Sequence, residues 1–351
     1  MKRYFRLRLL ACLCALLLLL AGTGCGTGSG AVPDETTGAS TPNSPSTVTV
    51  YFCDGNTVLS SVPVQAGSCV RIPTDIEKEN HILSGWYLDQ DLSIPFDFAT
   101  PLYGDLYLYG KFTVDGVAVT NKITTDTIHA IVKVEVSYVK YVLGFIPVTE
   151  NGGYGSGVIF HKDDSTFYLL TNCHVAVTKE GYQKATYKII DYEGNEYTGT
   201  LYPDAISAEY DLACLYFTSS SERLKPIEFA QKDPAPDDDV IALGTPKGQS
   251  NAIAFGTVVE YRTTFLQDTP AYESNVTFPV MRHTAYTGGG SSGGAIMNSE
   301  LKLVGIHYAG NSGDTFEWGF AIPISKVNEF LDAYVYKKSG SSGGAAGGVT
   351  P

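Results

Sequence analysis

Thr287-Gly288-Gly289-Gly290-Ser291-Ser292-Gly293-Gly294-Ala295 is the stretch on which the fold turns. Its five glycines surround two serines and open φ values that other residues avoid, so backbone N–H groups can point inward rather than into a ladder. Gly290 can turn its N–H toward a carbonyl oxygen, and with the Ser292 N–H it would form an oxyanion hole beside the Ser292 hydroxyl. Each such donor lowers a barrier by about 2.7 to 4 kcal/mol. The pentapeptide Gly-Ser-Ser-Gly-Gly occurs at 290–294 and again at 340–344, so composition alone does not select the working copy. Context does. The first copy runs into Ala295-Ile296-Met297 and then Leu301-Lys302-Leu303-Val304-Gly305-Ile306, a hairpin with a core face. The second lies in a Ser/Gly/Ala-rich segment, 337–351, expected to be a disordered tail.

Working outward, residues 123–323 hold many short alternating strands separated by glycine- or Asp-rich turns, the pattern of an all-β barrel or sandwich. Ile324, Val327, Phe330, Leu331 and Tyr334 then recur at helical spacing and predict one closing helix over 324–335. Two further segments carry chemistry. Phe167-Tyr168-Leu169-Leu170-Thr171-Asn172-Cys173-His174-Val175 is an apolar strand that delivers His174 at its end, where a rigid backbone can aim an imidazole into a cleft. Glu209-Tyr210-Asp211-Leu212-Ala213-Cys214-Leu215-Tyr216-Phe217 places one carboxylate at the start of a buried strand. A buried Asp211 needs partners, and His174 would be a suitable one: the pair fixes the imidazole tautomer and stabilises an imidazolium. His81, His129, His161, His283 and His307 are the competing histidines.

Jointly these segments resemble the chymotrypsin-like serine peptidases, especially the bacterial high-temperature-requirement type. Gly155-Ser156-Gly157-Val158-Ile159, Thr171-Asn172-Cys173-His174-Val175, Asp211-Leu212-Ala213, Ala242-Leu243-Gly244-Thr245-Pro246-Lys247-Gly248, Gly290-Ser291-Ser292-Gly293-Gly294 and Gly319-Phe320-Ala321-Ile322-Pro323-Ile324 carry the likeness. The resemblance implies two six-stranded barrels over residues 123–336, with His174 and Asp211 from the first barrel, Ser292 from the second, and the cleft between them. Two departures stand out. No PDZ-like module is expected after the closing helix. Ser291 occupies the position where trypsin-like zymogens carry an Asp that pairs with a newly cut N-terminus, so other contacts must hold the oxyanion loop. Gly305-Ile306-His307-Tyr308-Ala309-Gly310 and the Thr287 segment also resemble the glutamyl endopeptidases. That likeness implies a primary pocket lined by Tyr286, Thr287, His307, Tyr308 and Ala309, in which Thr287 and His307 donate to a Glu or Asp side chain. Net negative charge and the bulk of Tyr286 weigh against it.

Residues 47–114 read as a separate β-rich unit. Val48, Val50 and Phe52 alternate, Asp54-Gly55 signals a turn, and Leu106, Leu108 and Phe112 form a second strand, with Trp86 as core anchor. Gly85-Trp86-Tyr87-Leu88-Asp89, Pro95-Phe96-Asp97-Phe98 and Gly104-Asp105-Leu106-Tyr107-Leu108-Tyr109-Gly110-Lys111-Phe112 resemble the internalin-type B-repeat, a small β-grasp-like module, with Phe112 where that family closes on Trp. The resemblance implies a spacer or a module for a cell-surface ligand.

Basic residues at positions 2 to 8 precede the apolar run 9–21, so residues 1–24 are expected to be a signal peptide. Gly22-Thr23-Gly24-Cys25 resembles a lipoprotein cleavage box, which makes Cys25 a candidate lipidation site and the only expected route to a membrane. Residues 25–46 are a Gly/Ser/Thr/Pro linker. Of the remaining cysteines, Cys53 and Cys69 allow a disulfide in an exported chain, whereas Cys173 and Cys214 read as buried thiols. No C-x-x-C spacing occurs, and neither metal nor cofactor is expected.

Lys+Arg number 24 against 37 Asp+Glu, a formal net charge of −13, and no basic cluster outside the leader can form a face for phosphates. Nucleic acid is therefore excluded as a partner. The expected partner is a protein or peptide substrate met outside the cytoplasm. Two other classes remain open on sequence alone: a catalytically silent barrel acting as a binding scaffold, and an adhesin working through residues 47–114.

Overall fold

Side-chain alternation at period two builds the first unit of the described chain. The computed structural model describes residues 46–245, 251–264, 266, 269–310 and 318–336. The expected signal peptide, Cys25, nearly all of the linker and the 337–351 tail lie outside the described residues. Strands β1 (Thr47–Asp54), β2 (Thr57–Gln65), β3 (His81–Tyr87) and β4 (Leu106–Val114) form a sheet in the order β2-β1-β4-β3, with β1 and β4 parallel. Val48, Val50, Phe52 and Leu108 turn inward around Trp86, which is 4% exposed. Phe52 meets Trp86 edge-on with centroids 4.7 Å apart, an arrangement worth about 0.5 to 1.5 kcal/mol beyond the area it buries. Phe112 reaches the other side of Trp86 at 6.5 Å. Cys53 is buried and Cys69 exposed, and both are free thiols, so the disulfide that the sequence allows is not formed.

A helix that the strand pattern does not announce follows. In α1 (Gly116–Thr125) the Asp115 carboxylate accepts the N–H groups of Val117 and Ala118, while Val119 and Ile123 bury one face. An acid immediately before apolar residues four apart is the signal for it.

Twelve strands then close into two barrels. Strands β5 (Ile131–Val142), β6 (Ile146–Asp163), β7 (Thr166–Thr171), β8 (Lys184–Ile190), β9 (Glu196–Ser207) and β10 (Leu212–Thr218) close in the order β10-β7-β6-β5-β8-β9. Strands β11 (Asp239–Gly244), β12 (Ala252–Arg262), β13 (Val280–His283), β14 (Ala295–Met297), β15 (Leu303–Gly310) and β16 (Gly319–Pro323) close in the order β11-β12-β13-β16-β15-β14. This is the all-β, chymotrypsin-like double barrel. Asn80 of the small sheet unit donates from Nδ2 to Ser299 O, between β14 and β15, at 2.8 Å.

Why the central strands read as unbroken apolar runs is now apparent. Phe167, Leu169, Leu215 and Phe217 fill the first barrel, and Val240, Ala242, Val304 and Ala321 fill the second. Their neighbours along the same strands, Leu170, Leu212, Cys214, Ile241, Leu243, Ile306 and Tyr308, pack together in the seam. Both faces are buried, so no polar face alternates. Helix α3 (Ile324–Leu331) covers the seam with Ile324, Val327, Phe330 and Leu331, and Phe330 lies 6.1 Å from Tyr210. The expected single helix ends there, and the chain widens into a π-type turn over Asp332–Tyr336 that buries Val335.

Candidate active site

β7 ends at Thr171 and the chain turns at once into the short helix α2 (Cys173–Ala176), so His174 stands one turn beyond the strand rather than on it. Asp211 occupies the turn before β10 at φ 47°, a left-handed conformation that Asp tolerates better than most residues. Antiparallel pairing of β7 with β10 sets Ala213 opposite Thr171 and brings the two turns side by side. The Asp211 side chain is 0% exposed and accepts the His174 backbone N–H at 3.0 Å and ring Nδ1 at 2.8 Å. Asn172 Nδ2 holds the Asp211 carbonyl at 2.8 Å. A buried carboxylate is tolerable only with such donors, so the ring proton belongs on Nδ1 and Nε2 keeps its lone pair. The competing histidines lie elsewhere: His81 on β3, His129 against Tyr192 at 4.6 Å, and His161 beside Tyr168 at 5.6 Å.

The Ser292 loop is anchored to both barrels. Its carbonyl accepts the Ser156 N–H of β6 at 2.7 Å, and Gly293 N–H and Gly294 O exchange bonds with the His307 O and N–H of β15 at 2.8 and 2.9 Å. Gly155 is the reason β6 can approach so closely. A Cβ there would lie 2.9 Å from Ser292 O and 2.9 Å from both methyls of Val175, the residue after His174. The Ser292 loop and the histidine turn therefore meet over one missing side chain. Gly290 and Gly293 adopt φ values of +97° and +86°, as the glycine-rich sequence requires. Among the described residues, neither the Gly290 nor the Ser292 N–H donates to a protein acceptor, and no hydrogen bond joins Ser292 Oγ to His174.

Beside this loop the structure gathers polar groups that lack partners. Thr287 Oγ1 and His307 Nδ1 are buried and unpaired among the described residues; Tyr308, expected to line the same pocket, instead turns its unpaired hydroxyl into the seam toward the side of Val276 and Asn275, because alternation along β15 sends it to the opposite face from His307. His283, to which the sequence gives no role, stands behind the first two with its ring 5.7 Å from that of His307. Neither His283 nitrogen meets normal hydrogen-bond geometry, though the Ala285 backbone lies near one. A Cβ at Gly319 would come 2.9 Å from both His283 Nε2 and Thr287 Oγ1, so the glycine keeps this corner open. Burial pushes His283 down to about 4. His307 is driven well below the usual histidine range, first by burial and then by His283 and His174. Both rings are thus neutral near pH 7. Tyr308 is raised by burial and by the Asp211 charge. Tyr286 is 44% exposed, and Ala309 is half-buried on β15.

Residues 155–306 match the trypsin-like peptidase domain family, and residues 49–111 match the Listeria-Bacteroides repeat domain. Among curated proteins, the chain is 34% identical over 194 residues to the serine protease Do-like HtrA of Bacillus subtilis, covering 54% of this chain and 40% of that protein. It is 31% identical over 189 residues to a serine protease HtrA-like of Staphylococcus aureus, covering 50% and 23%. The chain thus spans less than half the length of these relatives. Among solved structures, the active form of the Rv3671c protease of M. tuberculosis is 21% identical, covers 67% of this chain and 91% of that one, and superposes with a TM-score of 0.48. Within the double barrel, residues 155–306 are thus similar to the trypsin-like peptidase domain, and the small sheet unit before it is similar to the Listeria-Bacteroides repeat domain.

Proposed function

We propose that the chain is a serine endopeptidase in which Ser292 is the nucleophile, His174 the general base and Asp211 the residue that orients it. The observation that carries the proposal is the 2.8 Å bond from His174 Nδ1 to a fully buried Asp211, in a turn that meets the Ser292 loop across Gly155. Ser292 Oγ attacks a peptide carbonyl as its proton passes to His174 Nε2, and the N–H groups of Gly290 and Ser292 receive the oxyanion. The C–N bond then breaks, and His174 returns the proton to the leaving amine. Water, deprotonated by the same imidazole, releases the acyl group and restores Ser292. The missing hydrogen bond between Ser292 and His174 is expected to form once substrate closes the site.

The substrate is a protein or peptide, and we propose an acidic residue on the acyl side of the scissile bond. Among the described residues Thr287 Oγ1 and His307 Nδ1 are buried without partners, and a carboxylate accepts both from the hydroxyl and from the ring in its Nδ1–H tautomer. The chain is proposed to act after export, either held by a lipid on Cys25 or released. Among the described residues no helix is long and apolar enough to cross a membrane. The repeat domain is proposed to space the peptidase from its anchor or to hold a cell-surface ligand.

A fluorophosphonate probe tests the core of this reading: wild type should be labelled and Ser292→Ala should not. Absence of labelling in correctly folded wild type would return the silent scaffold as the better reading. A peptide library cleaved after small apolar residues and never after Glu would end the acidic preference.

A further inference from the structure

The nucleophile loop does not fix its own shape. Gly288, Gly289 and Gly290 in succession allow many backbone conformations of similar energy. Ser291 offers no ion pair to replace the one that trypsin-like zymogens use. Its hydroxyl accepts the Gly288 N–H at 3.1 Å, and its N–H donates to Gly288 O at 2.9 Å, both bonds within the loop.

Backbone bonds hold the loop from Ser292 onward, but at Gly290 the outside hold comes from two hydroxyls. Ser156 Oγ on β6 lies 2.9 Å from Gly290 O and 2.9 Å from Thr245 Oγ1, and it accepts the Thr245 N–H at 2.9 Å. Thr245 Oγ1, directly after β11, lies 3.1 Å from Gly290 O and 3.3 Å from Gly155 O. Each hydroxyl has one proton, and an arrangement that leaves Gly290 O supplied puts at least one of them there. Ser156 is 0% exposed and Thr245 is 2% exposed, so water cannot stand in for either. Ser156 is itself fixed on both sides, through its N–H to Ser292 O at 2.7 Å and through its carbonyl to Thr171 Oγ1 at 2.7 Å.

We infer that Ser156 and Thr245 are positioning residues for the oxyanion hole, clamping the Gly290 carbonyl from both barrels so that the Gly290 N–H stays turned toward the substrate oxygen. The inference rests on the peptidase reading above. Its logic is short-range: only two rotatable bonds separate the N–H of Gly290 from its carbonyl. With the carbonyl clamped, the N–H can swing away only by compensating rotations about those two bonds, and the close approach of Tyr154 and Thr245 O, 2.3 and 2.6 Å from where a Cβ would stand, keeps this position to glycine.

Thr245→Val, which keeps the shape and removes the hydroxyl, is the principal test, with Ser156→Ala beside it and Thr245→Ser as the conservative rescue. Removing an oxyanion donor outright costs about 10² to 10³ in turnover, so loosening one should cost about 10 to 100-fold in kcat with KM unchanged. A peptide aldehyde, whose adduct with Ser292 carries the oxyanion, should lose affinity by the same factor, while a product peptide should bind as before. Thr245→Ser should recover most of both losses, with thermal unfolding reporting that each variant is folded. Wild-type kcat in Thr245→Val and Ser156→Ala overturns the inference, as does equal loss of aldehyde and product-peptide binding without rescue by serine. A wild type that neither cleaves peptides nor takes up a fluorophosphonate overturns the peptidase reading and this inference with it.

Discussion

Asp211→Asn separates what Asp211 does for chemistry from what it does for the fold. The carboxylate accepts two N–H groups of His174, at 3.0 and 2.8 Å, and stands at φ 47° with no exposure. Asparagine has one acceptor oxygen and one donor amide. When the amide faces the ring, the imidazole proton moves to Nε2, and the nitrogen that would receive the Ser292 proton in the proposed mechanism is already occupied. The expected loss is about 10⁴ in kcat, or about 5.5 kcal/mol of barrier. Stability should change much less, because Asn tolerates the left-handed backbone and removal of a buried charge offsets the lost charge-assisted bond. Asp211→Ala has neither advantage. It sets a Cβ residue with no local hydrogen bond at positive φ, which costs about 1 to 2 kcal/mol, and it orphans two buried donors. It should therefore unfold at lower denaturant than Asp211→Asn by at least about 2 kcal/mol. Peptide turnover and fluorophosphonate labelling read the first effect, and urea unfolding reads the second. Activity above about a tenth of wild type in Asp211→Asn would refute the assigned tautomer; equal stability of the two variants would refute the account of the turn.

Three further outcomes follow from other parts of the structure. Gly293→Ala places a Cβ 2.2 Å from Ser156 O at φ +86° and should destabilise by about 3 kcal/mol or more in urea unfolding. His283 is held near 4, so between pH 6.5 and 4 the unfolded chain binds a proton that the folded chain refuses, and stability falls as pH drops through that window. The contribution is about 3 kcal/mol, and His283→Gln should flatten the pH dependence by that amount; parallel pH curves for the two proteins would count against it. Among Cys53, Cys69, Cys173 and Cys214, a native protein alkylated and digested for mass spectrometry should carry label on Cys69 alone. Burial raises the other three thiols and hides them from the reagent.

The legible part of this fold is the part where one residue type has one job. Strand ends bearing His174 and Asp211, and a loop that needs glycine at 290 and 293, leave marks in the chain because few other residues could stand there. Ser156 and Thr245 leave no such mark. A serine between two glycines reads as a turn, and a threonine before a proline reads as the end of a strand. Their work exists only because β6, β11 and the Ser292 loop meet in space, at a sequence distance of 89 residues between the two hydroxyls. His283 was illegible for a related reason, since a histidine in a short strand acquires meaning from the β13–β16 and β15–β16 pairings that set it behind His307. Helix α1 is marked by the Asp115 cap and the Val119–Ile123 pair, but ten residues between two long runs of strands carry too short a helical period to stand out from them.

The distribution of buried polar residues bears on the choice between an enzyme and a scaffold. Of the twelve buried polar or charged residues among those described, nine belong to the proposed site or its supports: Ser156, Thr171, Asn172, Asp211, Thr245, His283, Thr287, Ser291 and His307. Burying such groups is costly, and a barrel under no demand beyond stability gains when they are replaced by apolar side chains of the same shape. Some of the nine are fully satisfied and hold backbone in place, as Ser156 does for Gly290. Among the described residues Thr287 Oγ1 and His307 Nδ1 have no partner, and burying such groups unpaired is costly. A bound carboxylate removes that cost, and a scaffold with nothing to bind there has no means of doing so. The unpaired donors therefore favour a pocket shaped for ligand over a relic of one, and Thr287→Val distinguishes the two: it should stabilise the free protein while lowering kcat/KM for peptides with an acidic residue at the cleaved bond, whereas a relic would show the gain in stability alone.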